Sequence, residues 1–79
     1  MDRLSVREVR TLVLLREQGP LALSELAYTL NIAPSTVHGM MLKLQALGLV
    51  IRNEAKQYII TNAGEQALAK IQAILSVEA

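Results

Sequence analysis

The chain contains no cysteine, no tryptophan and no phenylalanine, and a single histidine. Without cysteine, a disulfide scaffold, a thiolate zinc site and a catalytic thiol are all excluded. One histidine leaves no multi-histidine metal centre within a chain, so neither a metal nor a cofactor is expected. Tyr28 and Tyr58 are the only aromatic residues, which predicts an aliphatic core and makes base stacking on aromatic platforms a poor fit. Long apolar runs are missing too. The longest, Leu12-Val13-Leu14-Leu15, is far short of a bilayer span. No apolar stretch precedes a small-residue cleavage site, so no signal peptide is expected and an intracellular location follows. Charge of one sign is also lacking: eight basic residues stand against seven acidic ones, for a formal net charge of +1.

What is present argues for folding. Apolar residues make up 52% of the chain and charged residues 19%, a balance unlike that of disordered segments. The 79 residues make one domain, 1–79, with no room for a second core. The breakers Gly19-Pro20, Pro34, Gly39, Gly48 and Gly64 divide it into short blocks. Ser5 followed by Glu8 fits a capping box and opens a helix over 5–18, with Val9, Leu12 and Val13 on one face. Leu23, Leu26, Ala27 and Leu30 space a second helix over 23–30, begun by the poor cap Ala22 and stopped at Asn31. Pro34 suits the first position of a third helix over 34–47, whose apolar face is Val37, Met41 and Leu44. Leu49-Val50-Ile51 and Tyr58-Ile59-Ile60 flank a polar turn and predict a hairpin over 49–60. Thr61 is a good cap for a last helix over 62–77, with Ala67, Leu68, Ile71, Ile74 and Leu75 at helical steps. The fold class is mostly α with a small β-hairpin.

No Ser/His/acid spacing, phosphate loop or paired catalytic carboxylates stand out, so no enzyme is expected. Three stretches do form a pattern: Ser24-Glu25-Leu26-Ala27, Leu30 through Val37, and Leu44-Gln45-Ala46-Leu47-Gly48-Leu49-Val50. Together they resemble a winged helix-turn-helix. Tyr58-Ile59-Ile60-Thr61-Asn62-Ala63-Gly64 resembles the junction between wing and last helix in MarR-type regulators. The resemblance covers roughly Val9 to Leu75, nearly the whole chain. It implies that the helix from Pro34 enters the DNA major groove while the preceding helix crosses the backbone.

By that resemblance Ser35, Thr36, His38, Gly39 and Lys43 face DNA, and Arg52 and Lys56 in the wing approach phosphates. Each has a plainer alternative. Ser35 and Thr36 also suit a helix start; His38 and Lys43 also suit a solvated surface; Arg52 and Lys56 flank Glu54 in what could be a solvated hairpin tip. Gly39 departs from the family pattern, where a long polar side chain is common. Ala22 and Ala33 depart as well, at caps where relatives often carry Ser or Thr. Arg3, Arg7 and Arg10 are interleaved with Asp2 and Glu8 and read as solvated surface.

The first and last helices carry more apolar residues than one small core needs. Leu4, Val6 and Leu14, with Ile74, Leu75 and Val77, are candidates for exposure and for a homodimer. The expected function is sequence-specific binding of double-stranded DNA by a small cytoplasmic, nucleoid-associated regulator, a repressor acting as a homodimer. The alternative is a winged-helix module with a protein partner, suggested by the near-neutral charge and by Gly39, Met40 and Leu42.

Overall fold

The computed structural model describes the backbone of residues 4–78 and the side chains of residues 4–72. Each helix begins and ends for a local reason. Helix α1 spans Val6–Gln18 and opens on the expected capping box. The Glu8 N–H donates to Ser5 Oγ at 3.2 Å, and the Ser5 N–H donates to Glu8 Oε1 at 2.7 Å. Gly19, at φ 76°, ends it. Helix α2 covers Leu23–Leu30. Ala22 offers no side-chain cap, but Glu25 reaches back to accept from the Ala22 N–H at 2.8 Å. Asn31 adopts the left-handed conformation (φ 55°, ψ 48°), and the Ile32 N–H bonds back to the Ala27 carbonyl at 3.1 Å. Helix α3 then runs over Pro34–Ala46 and closes with Gly48 at φ 76° and the Leu49 N–H on the Leu44 carbonyl at 2.9 Å.

The sheet holds one strand more than the sequence predicted. Besides the hairpin strands β2 (Val50–Arg52) and β3 (Gln57–Ile60), the two residues Leu21–Ala22 form a strand, β1. The order is β1-β3-β2, with Leu21 opposite Tyr58 and Val50 opposite Ile60 in antiparallel register. Two residues after a Gly-Pro pair carry no period-2 pattern, so only tertiary contact with β3 reveals them. The last helix, α4, spans Asn62–Glu78. Thr61 caps it as expected, accepting from the Gly64 N–H at 3.1 Å.

Leu12 and Leu15 of α1, Leu26 of α2, Val37, Met41 and Leu44 of α3, Val50 of β2 and Leu68 of α4 meet in one core. Burying each Leu contributes about 1.5–3 kcal/mol. The expectation of an aliphatic core needs correction, because Tyr58 is among the largest fully buried side chains. Tyr58 lies on the middle strand of the sheet, and α1 and α4 both pack against that strand. Leu4 and Leu14 also depart from expectation: both are half-buried against the core, whereas Val6 is 76% exposed. The side chains of Ile74, Leu75 and Val77 lie outside the described residues. Among the described residues no helix is long and apolar enough to cross a membrane.

Candidate nucleic-acid interface

Helix α3 is split lengthwise by its sequence. Val37, Met41 and Leu44 are fully buried, which forces the residues between them outward. Ser35 and His38, three apart, continue to Leu42, which is 54% exposed. Thr36 and Gly39 lie beside them and are exposed, and this second stripe runs on to Lys43. Four of the five α3 positions singled out from sequence therefore share one open surface. A Cβ added at Gly39 would meet nothing within 4 Å, so this glycine is neither a packing requirement nor a close approach of backbones.

Lys43 differs from the other four. Its ammonium lies 3.0 Å from Glu8 Oε2 and donates to Glu8 Oε1 at 3.1 Å, joining α3 to α1. The Lys43 side chain keeps 40% of its exposure, while that of Glu8 keeps 5%. Burial by itself would raise the Glu8 carboxyl. The Ser5 N–H and the Lys43 ammonium outweigh that and hold it below the ordinary glutamate range. The only cation of α3 is thus paired within the chain while its side chain stays partly exposed.

The wing is a short, internally braced hairpin. Asn53 and Gln57 are joined by one backbone bond and one side-chain bond: the Asn53 N–H donates to the Gln57 carbonyl at 2.8 Å, and the Asn53 side-chain Oδ1 accepts from the Gln57 N–H at 2.9 Å. Lys56 takes a positive φ of 62° to close the turn. The Arg52 guanidinium sits 5.2 Å from the centre of the Tyr58 ring, and its Nε donates to the Lys56 carbonyl at 3.5 Å. The ring and that carbonyl steady a long side chain that stays exposed, as Lys56 does.

Two residues escaped the sequence reading. Tyr28, on α2, is 88% exposed; the signal was available, since it falls off the Leu23-Leu26-Ala27-Leu30 stripe. Glu8 was read only as a cap partner. Its second role, gripping Lys43, spans 35 residues and has no local signature.

The IclR helix-turn-helix domain family matches residues 9–54, from α1 through the first half of the wing. No curated protein matches the chain. Several solved structures share the fold, a MarR-like winged helix-turn-helix. MepR, a transcription regulator of the Staphylococcus aureus multidrug efflux pump MepA, aligns with a TM-score of 0.86 at 21% identity, over 95% of this chain and 59% of its own. The transcriptional repressor CouR, solved bound to p-coumaroyl-CoA, aligns with a TM-score of 0.86 at 24% identity, over 94% of this chain and 54% of its own. A MarR family regulator from Rhodococcus sp. RHA1 aligns with a TM-score of 0.82 at 28% identity, over 94% of this chain and 57% of its own. The chain therefore spans between 54% and 59% of the length of these three proteins.

Proposed function

Because the chain belongs to the IclR helix-turn-helix domain family, we propose that it is a transcriptional regulator that binds a specific double-stranded DNA sequence. The observation carrying this reading is the open surface of Ser35, Thr36, His38 and Gly39 at the start of α3, with a braced Arg52 and an exposed Lys56 on the adjoining hairpin. In this reading Ser35, Thr36 and His38 hydrogen-bond base edges or phosphates, and Arg52 and Lys56 anchor the wing on the backbone. Tyr28 stands on the helix that would cross the DNA backbone, where its hydroxyl can reach a phosphate oxygen. Lys43 takes a lesser part, since a phosphate must compete with Glu8 for it.

The regulator acts as a homodimer through its first and last helices, which presents two α3 helices to successive major grooves, about 34–36 Å apart. It represses by occupying a promoter, as the described role of CouR suggests by analogy. Fluorescence anisotropy against fragments of the gene's own upstream region, with a scrambled competitor and at two salt concentrations, tests the reading. Tight binding to one fragment that weakens steeply with salt is expected. Equal, weak binding to every sequence would overturn it. That result would favour the second reading, a protein-binding α3 surface, for which the pairing of Lys43 with Glu8 and the exposed Leu42 speak.

A further inference from the structure

Helices α1 and α2 leave an open groove of about 290 Å³ between them, lined on α1 by Val9, Arg10, Val13, Leu14 and Glu17 and on α2 by Thr29 and Leu30. Its apolar members are half-buried, so they still have surface to lose. Its two charged members are exposed, and among the described residues neither has an ion-pair partner. They stand about 10 Å apart along the helix, at either end of the Val13-Leu14 centre.

That arrangement is self-complementary. The midpoint between Arg10 and Glu17 falls between Val13 and Leu14. If a two-fold axis crosses α1 there, a second α1 runs antiparallel to the first. Arg10 of each copy then meets Glu17 of the other, and Val13 and Leu14 close on their counterparts. A parallel pairing would set arginine against arginine and glutamate against glutamate, which is repulsive.

We propose that this groove receives α1 of a second copy of the chain, antiparallel, in the register that pairs Arg10 with Glu17 across the two-fold. The proposal rests on the homodimer of the proposed function and assigns its register. Seven lining residues are fewer than the 20 or so a side of a stable interface, so the α1 pairing sets the register of a dimer whose contact area extends beyond the groove.

Sedimentation velocity on the full chain tests it with charge swaps at exposed positions. Arg10→Glu and Glu17→Arg each place like charges at both ends of the seam and are expected to weaken self-association by at least about tenfold. An equimolar mixture of the two variants restores both pairs and is expected to form a heterodimer as tight as the wild-type homodimer. The double variant R10E/E17R is expected to dimerise again. Because the chain has no cysteine, Val13→Cys adds a single thiol beside the axis, and mild oxidation is expected to give a disulfide-linked dimer. A wild-type dimer that both single variants leave intact overturns the register and leaves the homodimer standing. A wild-type chain that stays monomeric overturns both, whatever its affinity for DNA.

Discussion

Lys43 and Glu8 show how one contact redirects a functional assignment. Lys43→Met removes the cation that a 5%-exposed carboxylate depends on, so it is expected to lower stability by about 1–3 kcal/mol in chemical denaturation. Arg52→Ala is expected to leave stability nearly unchanged and to weaken DNA binding more than Lys43→Met does, when both are titrated at equal salt. The same carboxylate gives the fold an acid-sensitive contact. Its folded pKa lies below its unfolded one, so its stabilisation is present at neutral pH. It is lost progressively as the pH falls below the ordinary glutamate value of 4.5 and through the lower folded value. Thermal unfolding followed from pH 6 to pH 3 is expected to show a smaller decline for Glu8→Gln than for the wild type. Gly39 gives the opposite kind of test. Open space surrounds it, so Gly39→Ala is expected to raise stability by about 0.5–1 kcal/mol through helix propensity alone. Gly39→Arg would add a cation to the exposed α3 surface, and an increase in affinity for all DNA sequences alike is the expected reading.

At the scale of elements, the junction of wing and last helix is closely packed and bonded to its neighbours. Thr61 joins three segments there: its hydroxyl donates to the Gly48 carbonyl at 2.7 Å and accepts from the Gly64 N–H, while its own N–H donates to the Leu49 carbonyl at 3.0 Å. Gly64 lies against the same turn. A Cβ at this position would collide with the Leu49 carbonyl oxygen and come within 2.7 Å of Ile60 Cγ1. Backbone cannot yield as a flexible side chain does, so Gly64→Ala is expected to cost about 1–3 kcal/mol despite the better helix propensity of alanine. Chemical denaturation measures it, and a gain in stability would show that α4 moves freely off the wing. The threonine and this glycine were legible in the sequence as parts of a resemblance. The reason for the glycine was not, because the carbonyl it clears belongs to the end of another element. Strand β1 was hidden for a similar cause: its two residues are strand only because β3 lies beside them.

Over the whole molecule, a net charge of +1 bounds what phosphate attraction can contribute. With Lys43 engaged by Glu8, the cations at the candidate surface are chiefly those of the wing. Log affinity against log salt is therefore expected to have a slope shallower than about −4 per protomer, reduced by about 1 in Arg52→Ala. A much steeper slope would locate the basic surface elsewhere, with the first-helix arginines as the next candidates. The sequence by itself determined the capped start of α1, the Asn31 stop of α2, the Pro34 start of α3, the hairpin, and the outward stripe of Ser35, Thr36, His38 and Gly39. Those features follow from local chemistry: a serine at a helix start, an asparagine that tolerates the left-handed region, and apolar residues at helical spacing. Only the tertiary structure decided that Tyr58 is core, that Leu14 is half-covered and that Lys43 pairs with Glu8. Burial and ion pairing depend on what lies across the fold, and residues 35 positions apart meet only when the chain closes on itself.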